Sequence, residues 1–307
     1  YFPSPTGKVR WLIVNGLLSL EMKMNRTYQV AGHRFMLWGD KLCKAVEGIA
    51  GFRPFESQDG EVLFAFMEDT AVPVMGNVEY TFGYEDVRGF FGRTVKGFML
   101  KLEPSGGDAL YLWCTDGGNE VRICGNLSAR LYRFALWVGY GLMTLPYGTI
   151  AVHSSCIVYR DRAVLFLGES GTGKSTHTRL WREHVEGAFL LNDDSPVLRV
   201  EDDVVRVYGS PWSGKTPCYR QECYKLEACV RLSQAPYNRI TRLSVLQAYG
   251  AVHPSCPPEF AYDNGLYDHV SRCVDKLLQA VPFYHLACLP DREAARLACR
   301  TIFKDTI

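Results

Sequence analysis

Residues 163–176 read AVLFLGESGTGKST: an apolar run ending at Leu167 passes with no linker into Gly168-Glu169-Ser170-Gly171-Thr172-Gly173-Lys174-Ser175. Those eight residues satisfy G-x-x-x-x-G-K-[ST]. The glycines let a loop turn its amides inward, so that phosphate oxygens approach with no Cβ in the way. Lys174 adds a point charge suited to β and γ phosphate oxygens, Ser175 offers a hydroxyl to Mg²⁺, and Thr176 follows in the same turn. The pattern needs a strand before it and a helix after it, because the uncapped N–H groups at a helix start bind the anion. Val164 to Leu167 supplies the strand, and a helix is predicted from about Lys174 to His184.

Outward from the loop the texture is that of alternating strands and helices. Upstream, Ile150 to Val152, Cys156 to Tyr159 and Ala163 to Leu167 are strand-like, with Arg160-Asp161-Arg162 as a tight turn. Downstream, a strand Phe189-Leu190-Leu191 leads to Asn192-Asp193-Asp194. These aspartates lie 19 and 20 residues beyond Lys174, just past that strand, at the edge of an α/β sheet where ligands bind. One carboxylate can hold Mg²⁺ and the other can accept a hydroxyl proton; a solvated turn is the bland alternative. Further strands are expected at Val197 to Val200 and Val204 to Tyr208, then a loop from Gly209 to Lys215. Helices are expected at about 240 to 248, 265 to 280 and 291 to 303.

The first part of the chain, about 10 to 125, has short apolar runs such as Tyr28-Gln-Val, Val62-Leu-Phe-Ala-Phe and Leu110-Tyr-Leu-Trp between Gly, Asp, Pro and Asn punctuation, and reads as mainly β. Asn126 resembles an N-cap for a helix that Pro146 closes, with Leu127, Leu131, Phe134, Ala135, Val138 and Leu142 at helical spacing. The expected organisation is therefore a β-rich accessory or substrate-recognition region (1–125), a bridging helix (126–146) and a catalytic domain (147–307).

Bulk properties narrow the function classes. With 34 Lys plus Arg against 33 Asp plus Glu, there is no basic field to draw the chain onto nucleic acid or anionic lipid, so neither is an expected partner. Any anion site must be built locally. Eleven cysteines, none in a CxxC pair, read as reduced thiols of a cytoplasmic protein. Trp11 to Leu20 is apolar but too short to span a bilayer and is broken by Asn15 and Gly16. Cys218, Cys223 and Cys229 match no common zinc spacing. His177 and His184 read as ordinary helix residues; Arg130 and Arg133 could reach an anionic substrate, but exposed helix charges are the more usual reading.

The stretch AVHSSCIVYRDRAVLFLGESGTGKSTHTRLW (151–181), followed by LLNDDSPVL (190–198), resembles the catalytic core of the HPr kinase/phosphorylase and phosphoenolpyruvate carboxykinase group of P-loop proteins. The order is the same: a histidine leading a strand (His153), a GxSGxGKS loop (168–175), then a strand ending in Asp193-Asp194. About 80 residues, roughly 148 to 230, carry the likeness. The tail, Val281-Pro-Phe-Tyr-His-Leu with Leu289-Pro-Asp, is weakly similar to the end of HPr-kinase-like domains. The resemblance implies an α/β (α+β) fold with a P-loop catalytic domain of that type. It implies ATP with Mg²⁺, Lys174 and Ser175 as phosphate and Mg²⁺ contacts, and His153 with one aspartate as proton-handling and phosphate-orienting groups. Which aspartate is base and which binds metal stays open. Lys215, in Pro211-Trp-Ser-Gly-Lys-Thr216, is either part of a second loop over the phosphates or a surface turn.

Three activities fit these expectations. The first is an ATP-dependent kinase acting on a hydroxyl of a protein, peptide or small molecule. The second is a nucleotide-binding regulator or assembly component with little catalysis, and the third is a small carboxykinase-like enzyme. A homo-oligomer is compatible with all three.

Overall fold

The computed structural model describes residues 10–14, 17–21, 24–58, 60–201 and 204–304; the expected break at Asn15-Gly16 lies outside the described residues. It shows a mixed α/β chain that divides into two compact units, residues 1–143 and 144–307. Among the described residues no helix is long and apolar enough to cross a membrane.

The first unit begins with an antiparallel pair, β1 (Arg10–Val14) and β2 (Leu17–Glu21). An eight-stranded sheet follows, made of β3 (Asn25–Val30), β4 (His33–Trp38), β5 (Phe64–Glu68), β6 (Asn77–Tyr84), β7 (Val87–Arg93), β8 (Phe98–Pro104), β9 (Leu110–Cys114) and β10 (Glu120–Gly125). Its order is β3-β4-β5-β10-β9-β8-β7-β6, which leaves β6 at one edge. Helix α1 (Asp40–Glu47) buries Leu42, Cys43 and Val46. Phe35, Phe64, Phe66 and Tyr140 form a ring cluster with centroids 5.5–6.3 Å apart. Tyr140 belongs to α2 (Ala129–Thr144). That helix starts later than Asn126, whose Oδ1 accepts from Ser128 N at 2.9 Å. The asparagine makes a local turn ahead of the helix, a use of its short side chain that competes with capping.

The second unit is built on a nine-stranded sheet. Its strands are β11 (Thr149–Ala151), β12 (Ser154–Tyr159), β13 (Arg162–Leu167), β14 (Phe189–Asp194), β15 (Val197–Glu201), β16 (Val204–Tyr208), β17 (Cys223–Gln234), β18 (Arg239–Arg242) and β19 (Phe283–Cys288). The β12–β13 hairpin turns on Arg160 and Asp161, at φ 49° and 56°. Two consecutive positive φ values match the right-handed twist of the flanking strands. Helix α3 (Lys174–His184) then carries the chain from β13 to β14. Both of these strands pair antiparallel with β12, which lies between them, so β13 and β14 run parallel and end at the same edge of the sheet.

β17 pairs parallel with β13 on its other side. Its alternating Tyr224, Leu226, Ala228, Val230 and Leu232 carry the period-two pattern of a strand that the expectations above do not include. The stretch expected to be helical from 240 opens instead as β18, and α4 (Val245–Val252) starts at Ser244, which forms a capping box with Gln247. Asp263 and Asp291 cap α5 (Asn264–Ala280) and α6 (Arg292–Phe303), each accepting from a backbone N–H three residues on.

Helices α3 and α6 share a core with the sheet in which Phe166, Trp181, Val164, Val230, Leu286 and Ala298 are all buried. Trp181 is fully covered, and its indole N–H donates to His177 Nε2 at 3.1 Å. Removing a buried ring of that size costs about 3–5 kcal/mol, so this packing fixes α3, and with it the loop before the helix.

Candidate functional site

The glycine-rich loop leaves β13 at Gly168 (φ 147°), and Gly171 and Gly173 take φ values of 84° and 101°. A side chain is strained at all three, which explains the glycine spacing. Gly173 is the N-cap of α3 and no side chain caps the helix, so its first-turn amides are open to an outside acceptor. The outer carbonyls of the loop are held by the chain itself. Lys174 Nζ donates to Gly168 O at 2.7 Å and Glu169 O at 3.1 Å, Thr172 Oγ1 to Glu169 O at 2.9 Å, and Gln234 Nε2 to Gly171 O at 3.2 Å. Ser170 is exposed and Thr176 half-buried in the first helical turn. Burial lowers the Lys174 pKa, against the raising influence of Asp194 and Asp193.

Asp193 and Asp194 do not follow the strand; they are its last two residues, paired with Ser155 and Ser154 of β12. Between Ile157 opposite Leu190 and Cys156 opposite Asn192, the strand carries Leu191 as an extra residue. Because side chains alternate with a period of two, this bulge resets which face the following residues present. The Asp193 side chain is buried. Its Oδ1 accepts from Ser175 Oγ at 3.0 Å and from Ser155 Oγ, while Oδ2 has no partner among the described residues. A buried carboxylate oxygen left unsatisfied beside a serine hydroxyl is a donor set that fits a hard divalent cation.

Asp194 is half-exposed, with one oxygen 3.7 Å from His153 Nε2. Its φ of 142° is strained for a non-glycine residue. The backbone of His153 is fixed by a 2.7 Å bond from its N–H to Ser255 O. Burial lowers the His153 pKa, Lys174 lowers it further, and Asp194 and Asp193 oppose both. The lowering favours the neutral imidazole, the form that can accept a proton.

The strained backbone of Asp194 is held by the segment after β16. Gly214 N donates to Asp193 O, Ser213 Oγ donates to the same carbonyl at 3.3 Å, and Asp194 bridges Ser213. A Cβ on Gly214 would lie 2.9 Å from Asp193 O and 3.0 Å from Asp194 Cβ, so any larger residue forces the backbone here to shift. Beneath this contact, Asn192 Nδ2 reaches Ser210 and Trp212 carbonyls at 3.3 and 3.2 Å, and Asn192 Oδ1 accepts from Ser195 N at 3.0 Å.

One end of the sheet therefore gathers Gly168–Ser175, Asp193, Asp194 and His153. Lys215 is exposed, next to Gly214, and its backbone neighbours rather than its ammonium meet the aspartates. Ser155, Asn192 and Gly214 stand inside the motifs quoted above without a role of their own, but Gln234 is 63 residues from Gly171 and nothing local marks it. Arg130, read above as an exposed helix charge that could reach an anion, is paired with Glu85 at 2.7 Å and with Asp86.

No protein-family model matches the chain, and no curated protein matches it. Among solved structures, the chain is similar to the Hpr(Ser) kinase/phosphatase from Coxiella burnetii, at 14% identity and a TM-score of 0.30, covering 50% of this chain and 88% of that one. At that score the likeness adds no argument, and the site rests on its own geometry.

Proposed function

We propose that the second unit is an ATP-dependent phosphotransferase that moves a phosphoryl group to a hydroxyl. The observation that carries this reading is the Ser175–Asp193 pair, 3.0 Å apart, with Asp193 Oδ2 buried and unpartnered beside an uncapped helix start. Ser175 and Asp193 would hold Mg²⁺, which supplies charge neutralisation for the donor's phosphates. The amides of Gly171 to Ser175 and the Lys174 ammonium bind the same phosphates. Lys174 must leave the carbonyls of Gly168 and Glu169 to do so, a small rearrangement of a flexible side chain.

The structure also suggests how the two aspartates divide the work. Asp193 is buried against two hydroxyls and suits the metal role, whereas Asp194 faces His153 and solvent. His153, 3.7 Å from Asp194, accepts the acceptor hydroxyl's proton as its oxygen bonds to the phosphorus and the donor's bridging oxygen departs. Positioning and charge supply most of the rate in such a transfer.

The test is nucleotide turnover by the full chain with Mg-ATP and candidate hydroxyl acceptors. Lys174→Ala is expected to lower turnover by about 100-fold or more while leaving thermal melting in place. Tight ATP binding without turnover would favour the nucleotide-sensing alternative, and bicarbonate-dependent use of phosphoenolpyruvate the carboxykinase one.

A further inference from the structure

The first unit contains a cleft of about 730 Å³ that the phosphate chemistry does not use. That volume lies within the range of small-ligand and peptide sites, about 300–1,000 Å³. Its floor includes Trp113, 9% exposed, and its rim carries Val72, Val74 and Val95 at 37%, 84% and 99% exposure. Isolated exposed valines are unremarkable, but three around one concavity mark an interaction surface.

Two further features narrow the occupant. Residues 71–76 run outside any ladder, and among the described residues nothing hydrogen-bonds the backbone of Val72 or Val74. Ala71 N–H is taken by Asp69 Oδ1 and Gly76 N–H by Arg93 O, and Pro73 has none, which leaves Val72 and Val74, about 7 Å apart along the chain, to pair with another extended chain. The second feature is charge. Arg122 is held by Asp69 at 2.6 Å and Glu120 at 2.7 Å, so with Lys96 the lining carries two acids and two bases. A self-neutralised rim gives no net attraction to a polyanion or polycation and suits an uncharged segment.

We propose that this cleft binds an extended, uncharged peptide segment. The peptide pairs its backbone with Val72 and Val74 and places alternate apolar side chains against Val72, Val74, Val95 and Trp113. The site stands apart from the phosphate-transfer reading, since it needs no nucleotide.

The full chain, without nucleotide, is challenged with a pool of acetylated, amidated octapeptides alternating apolar and uncharged polar residues, and amide hydrogen exchange is read on the complexes. Bound peptides are expected to protect residues 70–76, 94–97 and 113–122, and Val74→Asp and Val95→Asp to weaken binding about tenfold each with unchanged melting. The proposal is overturned if no peptide binds the wild type better than the double variant, or if protection falls elsewhere. It is equally overturned if single amino-acid amides compete as well as octapeptides, or if the protection instead tracks self-association of the chain.

Discussion

Ser175 Oγ lies 3.0 Å from Asp193 Oδ1 although 18 residues and a whole helix separate them. The contact exists because β13 and β14 run parallel on either side of β12 and end at the same edge. It joins the start of α3 to a buried carboxylate of which one oxygen has no hydrogen-bond partner among the described residues.

Asp193→Asn keeps the shape and removes the charge. Nucleotide binding by the wild type is expected to tighten with Mg²⁺, and in the variant this Mg²⁺ dependence should shrink by at least about 10-fold. Calorimetric titration with ATP, with and without the metal, reads the difference; equal Mg²⁺ dependence in both proteins contradicts the metal role.

His153→Gln removes the imidazole while leaving its backbone bond to Ser255. The expected outcome is a kcat about 100-fold lower with nucleotide affinity unchanged. A loss confined to binding would place His153 among the phosphate contacts instead.

Gly214→Ala introduces a Cβ against Asp193 O and Asp194 Cβ. Overpacking of this kind costs about 1–3 kcal/mol, so the melting temperature should fall, and turnover should fall with it as Asp194 shifts. A variant with wild-type melting and turnover would show that the loop yields without cost.

Glu259, 2% exposed with Oε2 unpartnered, has its pKa raised by burial from 4.5 to about 7. Between those values the folded chain holds a proton that the unfolded chain has released, so stability declines as pH rises from about 4.5 to 7. Glu259→Gln should flatten that slope and stabilise the protein at neutral pH by an amount on the order of 3 kcal/mol. Urea unfolding at pH 5 and pH 7.5 measures it; identical slopes in the two proteins would remove the claim.

The local chemistry of this chain was legible in its residue order. The glycine spacing, the Arg160-Asp161 turn, and the extents of α3, α5 and α6 depend on neighbours in sequence, through allowed φ values and helix periodicity. Which residues face one another was decided by the tertiary structure. The Leu191 bulge sets the face that Asp193 presents, the insertion of β12 puts Ser155 opposite it, Gly214 holds the strained Asp194, and Gln234 braces Gly171 from 63 residues away. The physical reason is that strand order, register and bulge position follow from burying two faces of a sheet at once, and no short window of sequence contains that information.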